Sequence, residues 1–189
     1  MSNVDWLKAH TQKKQRDITG SLPEKVLEYH KLPPDVIKEG MVVLDIGLGY
    51  GNMARFIRDK GAIPYCIDVI PEAFHGVLDT AEKMILTKDL KNTEPINADF
   101  GLCHLVVQHC DDAELRELLT GILLHIKEGG IISIQVAERD TCGRNRFLRN
   151  KKEFKRAVKQ CGGDCVNLGV EYKWPKYGSK WFISRISRP

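Results

Sequence analysis

No stretch of about 18 consecutive apolar residues occurs in the 189-residue chain, so no membrane-spanning helix is expected. The first residues, Met1-Ser2-Asn3-Val4-Asp5-Trp6, lack a basic start followed by an apolar run, and no secretory leader is expected. Internal repeats and low-complexity linkers are also absent. Six cysteines are too few and too dispersed for a disulfide scaffold. Cys66, Cys103, Cys110, Cys142, Cys161 and Cys165 are therefore expected to be reduced, in a cytoplasmic protein. Cys161 and Cys165 lack the second pair that structural zinc wants, and Cys142 adds only one thiol, so no metal is expected.

Hydrophobic residues make up 42% of the chain and charged residues 29%. That balance suits one globular domain with a substantial core, and excludes collagen-like and disordered chains. The net charge of +4 is unevenly spread. From Arg139 to the end there are 14 Lys/Arg and 4 Asp/Glu, against 15 basic and 21 acidic residues before it. The basic third is a candidate surface for an anionic partner; a solvated lysine-rich exterior is the competing reading.

Hydrophobic patterning alternates between strand and helix. Ser21-Leu22-Pro23-Glu24 has capping-box spacing, and the helix it opens carries Val26, Leu27 and His30 on one face. Met41 to Leu44 is a short apolar run ending at Asp45, which marks a buried strand. A helix with Met53, Phe56 and Ile57 inward follows, then a strand from Ile63 to Asp68. Pro71 opens an expected helix with Phe74, Val77 and Leu78 inward. Further strands are expected at Met84–Leu86, Phe100–Cys103 and Ile131–Val136. The helix from Asp112 to Lys127 has the clearest apolar stripe and is expected to stop at Gly129-Gly130. A basic helix with Phe147, Phe154 and Val158 precedes two runs, Val166–Val170 and Trp181–Ile186, that should form an antiparallel hairpin. The alternation predicts a parallel sheet with helices on both faces, binding ligands at the carboxyl ends of its strands.

The segment that carries chemistry is Val43-Leu44-Asp45-Ile46-Gly47-Leu48-Gly49-Tyr50-Gly51. Glycines spaced G-x-G-x-G turn sharply off a strand and let a ligand approach the backbone. The dinucleotide fingerprint is G-x-G-x-x-G, one residue longer. Asp45 precedes the turn, where an acid repels a pyrophosphate but attracts an ammonium group. Asp68, 23 residues later, ends the next strand, where a carboxylate can accept bonds from ribose hydroxyls. Together the two acids describe a nucleoside with an amino-acid tail, S-adenosylmethionine.

The segment resembles the class I S-adenosylmethionine-dependent methyltransferases. Asp45-Ile46-Gly47-Leu48-Gly49-Tyr50-Gly51 matches their first motif, and Ile67-Asp68-Val69-Ile70-Pro71-Glu72 their ribose-binding acid and following turn. Thr87-Lys88-Asp89-Leu90 resembles their third-strand motif, in which the acid meets the adenine amino group and the next backbone N–H the ring. Ala98 to His109 resembles their fourth-strand motif, and His125-Ile126-Lys127-Glu128-Gly129-Gly130 the turn into their fifth strand, with Glu128 in place of proline. The resemblance implies a three-layer, Rossmann-like α/β fold with a seven-stranded, mostly parallel sheet and an antiparallel last strand. Residues 1–189 would form a single methyltransferase domain: a helical cap at 1–40, a cofactor-binding core at 41–137, and a basic loop, helix and hairpin at 138–189.

The implied cofactor set is Asp45, Gly47, Gly49, Gly51, Asp68, Val69, Asp89, Leu90 and His104. Competing readings make Asp68 a helix cap, Asp89 a surface residue and Asp99 a turn residue. His104 falls at the end of the fourth strand, where this fold presents the methyl group, and is the first candidate for a general base; His109 is the second. The alternative for His104 is packing against the cofactor or hydrogen-bonding backbone, and for His109 a structural role. His10, His30, His75 and His125 are read as ordinary helix residues.

Family patterns that are absent narrow the acceptor. There is no Asn/Asp-Pro-Pro-Tyr run, no Pro-Cys nucleophile and no acidic metal cluster. No appended recognition domain is expected, so the cap, the loop after the fifth strand and the hairpin must hold the acceptor. Arg139, Arg144 and Arg146 on that loop are expected to bind carboxylate or phosphate on a small anionic acceptor. Trp6, Tyr172, Trp174, Tyr177 and Trp181 are candidates to stack on it. A nucleic acid is the alternative acceptor, since seven of the thirteen residues from Arg144 to Arg156 are basic. A noncatalytic S-adenosylmethionine-binding protein is the other alternative.

Overall fold

The structure is a computed structural model that describes residues 22–138, 147–174 and 179–189. A single sheet organises them. Its strands are β1 (Val42–Ile46), β2 (Ile63–Asp68), β3 (Lys83–Leu86), β4 (Ala98–Cys103), β5 (Ile126–Ala137), β6 (Asp164–Trp174) and β7 (Ser179–Ser187). They lie in the order β3-β2-β1-β4-β5-β7-β6. β1 to β5 are parallel, and β7 runs antiparallel to both β5 and β6. The order reverses beside β1, so the crevice between β1 and β4 is the topological switch point at which such sheets bind ligands.

Helices α1 (Pro23–Tyr29), α2 (Asn52–Asp59), α3 (Asp112–His125) and α4 (Lys151–Gln160) cover the sheet. α3 and α4 are each started by a reciprocal capping box, Asp111 with Glu114 and Asn150 with Glu153. Leu115, Leu118, Leu119 and Ile122 of α3 join Phe154 and Val158 of α4 in the larger core. On the opposite face Val26 of α1 and Met53 and Ile57 of α2 pack with Val43, Phe100 and Leu102.

Several boundaries differ from expectation. α1 is capped at Leu22 without a side-chain hydrogen bond, and Ser21 lies outside the described residues. Pro71–Gly76 forms a 3-10 turn rather than a helix, and Leu78 faces solvent at 63% exposure. Gly76 is a poor helix residue, and proline at the first position favours only the opening turn. α3 stops at His125, before Gly129-Gly130, and Phe147 lies ahead of α4 and is exposed. The two glycines instead sit in β5, where its pairing with β4 jumps from Ala98↔Ile126 to Phe100↔Ile131. Gly129 has φ +74°, and a Cβ on Gly130 would lie 2.9 Å from the Ala98 carbonyl oxygen. The turn therefore bulges the strand instead of ending the helix. Asp99 lies in β4 rather than in a turn: it accepts from Val42 N at 2.7 Å and pairs with Lys127. That contact is at the amino ends of the strands, away from the crevice.

Gly121 has a different function. A Cβ there would sit 2.7 Å from the Leu90 Cβ, where α3 crosses the Thr87–Asn92 turn. Gly121→Ala is expected to destabilise the fold by about 1–3 kcal/mol through overpacking, despite alanine's better helix propensity. A urea midpoint equal to or above that of the unsubstituted chain would contradict this.

Candidate active site

β1 delivers Asp45 to the carboxyl edge of the sheet, and three left-handed glycines turn the chain into α2. Gly47, Gly49 and Gly51 have φ of +79°, +55° and +73°. A Cβ on Gly47 would overlap Val106 Cγ2, so this glycine lets the segment after β4 close onto the loop. Around the Cβ position of Gly49 there is nothing within 4 Å among the described residues. The loop thus carries one glycine for internal packing and one that leaves open space.

Asp45 is 5% exposed, and its Oδ2 has no hydrogen-bond partner among the described residues. Burial and then the charge of Asp68 push its carboxyl up to about 7, partly offset by the Ala54 N–H in the first turn of α2. Asp68 is also raised, chiefly by burial, against backbone N–H groups of Ile70, Val69, Gly49 and Leu48. Those bonds tie β2 to the glycine loop. Asp68 does not cap a helix; the N-cap of the following 3-10 turn is Ile70. Val69 beside it is exposed at 51%. Asp89 is exposed in the turn after β3, while Leu90 is fully buried and its carbonyl accepts from His125 Nε2 at 2.8 Å.

β1 and β4 pair through Ile46↔Cys103, which sets Gly47 and His104 side by side on the carboxyl edge. Leu105 then takes φ +60°, a strained conformation for a β-carbon residue, and its N–H donates to Gln135 Oε1 at 3.3 Å. Gln108 is buried, donates to the Leu105 carbonyl at 2.7 Å, and lies 3.2 Å from His109 Nε2. His109 thus belongs to the polar network that shapes this strained turn.

His104 stacks parallel to Tyr29 at a centroid distance of 6.2 Å. Its Nδ1 is 3.3 Å from His30 Nε2, and His30 Nδ1 is 2.8 Å from Ser133 Oγ. Burial holds His104 down to about 4 and His30 well below the usual histidine range. His30, expected to be an ordinary helix residue, is therefore part of the site. Leu102↔Ser133 pairing puts Ser133 on the sheet face that α1 covers, and His30, four residues after buried Val26, reaches it from there. Its partners are 74 and 103 residues away in sequence, so only its place on the apolar face of α1 hinted at burial.

Arg139, Arg144 and Arg146 lie outside the described residues, as do Trp6 and Tyr177 and, for their side chains, Tyr172 and Trp174. Arg149 points inward: at 5% exposure it donates to the carbonyls of Val107, Phe147 and Cys110 and pairs with Asp112. Trp181 is 2% exposed, a core residue of β7 rather than an open stacking platform. Among the described residues no helix is long and apolar enough to cross a membrane.

No family model and no curated protein matches the chain. Solved structures do. The 1,6-didemethyltoxoflavin-N1-methyltransferase of Burkholderia thailandensis, crystallised with 1,6-didemethyltoxoflavin and S-adenosylhomocysteine, is 17% identical with a TM-score of 0.73; the match covers 98% of this chain and 86% of that one. Magnesium protoporphyrin IX methyltransferase from Synechocystis, with bound S-adenosylhomocysteine, is 15% identical at TM-score 0.67, covering 97% and 93%. The [4+2]-cyclase SpnF is 15% identical at TM-score 0.65, covering 89% and 80%. The last carries this architecture under the name of a cyclase, so architecture alone does not name a reaction. With its strand order, its antiparallel β7 and its left-handed glycine turn after β1, the chain has the fold of the class I S-adenosylmethionine-dependent methyltransferases.

Proposed function

We propose that the chain binds S-adenosylmethionine at the β1–β2–β4 edge and transfers its methyl group to a small anionic acceptor. The observation that carries this reading is the pair Asp45 and Asp68 flanking a glycine loop, with a buried partnerless oxygen at Asp45 and open space at Gly49. A ligand with an ammonium end and a ribose suits both acids, whereas a pyrophosphate meets repulsion at each. Asp45 would hold the amino-acid tail, Gly47 to Gly51 the space beside it, Asp68 the ribose, and Val69, Asp89 and Leu90 the adenine. When bound, the cofactor supplies a methyl carbon activated by a sulfonium. His104, beside Gly47, would take the acceptor's proton, and His109 would hold the turn that carries His104. The small-molecule substrates named for the two neighbouring methyltransferases support a small acceptor.

The expected anionic character rests on the basic third of the chain, with Arg139, Arg144 and Arg146 as the anion-binding groups. The same charge, including exposed Lys152, Lys155, Arg156 and Lys159 on α4, supports nucleic acid as the second reading. A cytosolic setting is supported by free Cys66, Cys103, Cys110, Cys161 and Cys165.

S-adenosylhomocysteine is expected to raise the melting temperature, and NAD is not. Asp68→Ala should weaken that binding by roughly 1–3 kcal/mol, as for a lost charged hydrogen-bond partner. Equal shifts from both ligands would sink the assignment. A methyl-transfer screen with labelled S-adenosylmethionine against carboxylates, phosphate esters, neutral phenols and RNA identifies the acceptor; transfer to neutral phenols alone would remove the anionic reading.

A further inference from the structure

His104, His30 and Ser133 form a buried chain that joins β4, the end of α1 and β5. The order of protons along it follows from counting donors. His30 is fully buried, and Arg185, opposite Ser133 on β7, adds positive charge; both disfavour a cation there. A neutral imidazole has one N–H donor and one acceptor nitrogen. His30 makes two contacts, so it donates through one nitrogen and accepts through the other.

Two directions are possible. If Ser133 donates to His30, then His30 donates to His104 Nδ1, and His104 must carry its proton on Nε2. That nitrogen is enclosed and has no partner among the described residues. A buried N–H without an acceptor is among the rarest and costliest defects in proteins, more so than an unused lone pair. In the other direction His30 Nδ1–H donates to Ser133 Oγ, and His30 Nε2 accepts from His104 Nδ1–H. Only a lone pair on His104 Nε2 is then unused. The second direction leaves the smaller defect.

Resting on the methyltransferase reading above, we propose that His30, held by Ser133, is a positioning residue that fixes His104 in its Nδ1–H tautomer. Nε2 is thereby presented as the proton acceptor for a hydroxyl or protonated-amine methyl acceptor. In the step, a hydroxyl oxygen, or an amine nitrogen whose lone pair has first been freed by loss of its proton to Nε2, bonds to the methyl carbon as the carbon–sulfur bond breaks with its electron pair to sulfur. The acceptor proton passes to Nε2. The positive charge lost from the sulfonium reappears on the His104 imidazolium, which stacks on Tyr29 and later releases the proton to water. The substrate class is correspondingly narrowed to acceptors that carry a proton at the methylated atom; a thioether, a tertiary amine or an already ionised group has no use for the relay. Nε2 is enclosed in the structure, so an acceptor that uses it must displace what encloses it.

Long-range proton–nitrogen correlation spectra of protein labelled with nitrogen-15 histidine report the tautomer of each of the six histidines directly. They would be recorded at pH 7 with S-adenosylhomocysteine, His104 being assigned from the spectrum of His104→Gln. The expected result is an Nδ1–H, bare Nε2 signature for His104. His30→Ala should convert it to a mixture of tautomers. His30→Gln, whose amide oxygen can accept from Nδ1–H, should restore the signature. Ser133→Ala, which frees His30 to reverse, should also produce the mixture. A wild-type His104 protonated on Nε2 overturns the proposal, as does an unchanged His104 signal in His30→Ala or, should that variant fail to fold, in Ser133→Ala. Melting shifts with S-adenosylhomocysteine in the same samples keep the two readings apart. Loss of that shift in the wild type defeats the cofactor assignment, whereas the histidine spectrum alone decides the relay.

Discussion

His104→Ala is expected to lower turnover by about 10²–10⁴-fold while leaving affinity for S-adenosylhomocysteine within a few fold. The asymmetry comes from position. His104 leaves β4 beside Gly47, whereas the cradle proposed for the cofactor lies at Asp45, the glycine loop and Asp68. Deleting the imidazole removes the proposed proton acceptor and a stacking partner of Tyr29, and touches neither acid. Loss of a general base has its effect in the transition state, so kcat should fall with little change in cofactor KM. The loss should be largest for acceptors that begin protonated and small for those already ionised at the assay pH. Equal turnover of the variant on the acceptor found by screening would assign His104 to packing. Burial holds this histidine to about 4, so its neutral form prevails throughout the neutral range. A limb in the wild-type rate near pH 6.5 would therefore belong to another group.

Local sequence signals gave the strands that are apolar on both faces, β1, β2 and β4, and the helix with the clean stripe, α3. Those patterns reflect burial that each segment experiences whatever its neighbours do. The glycine turn and its two acids were legible for a related reason. A left-handed backbone selects glycine locally, and an acid at a strand end needs no distant partner to be noticed. What escaped notice depends on contacts between distant segments. Gly129 and Gly130 look like a helix stop, yet the pairing of β5 with Ala98 turns them into a bulge. Arg149 looks like one more cation of a basic loop, but carbonyls at Val107 and Cys110 draw it inside. His30 is the sharpest case: its place on the apolar face of α1 implied burial, and nothing near it in sequence named Ser133 or His104 as partners.

Asp45 should make both the stability of the free protein and its affinity for the cofactor depend on pH, in opposite directions. Its carboxyl titrates near 7 in the fold, against an ordinary value of 3.8, because burial and Asp68 disfavour the charge. A carboxyl raised on folding contributes stability that is complete below about pH 4 and is lost as pH rises through about 7. Three units correspond to about 4 kcal/mol for this one group. The two buried histidines run the other way, since bases held low on folding lose stability as pH falls below about 6.5. The contribution of Asp45 is therefore read as a difference: Asp45→Asn should gain on the wild type between about pH 4 and pH 7 in urea melts, and level off above that. With the cofactor bound as proposed, the preference should reverse, because an ammonium group beside Asp45 favours the carboxylate. Affinity for S-adenosylhomocysteine should rise by up to about tenfold per pH unit below 7, and level off above it. Calorimetry at pH 6 in two buffers of different ionisation enthalpy should show about one proton released per ligand bound. In Asp45→Asn the proton release and the pH slope should both vanish, with weaker binding at pH 8. An affinity that is flat from pH 5.5 to 8 in the wild type, with no proton released, would mean that Asp45 is not the group that meets the ligand's charge.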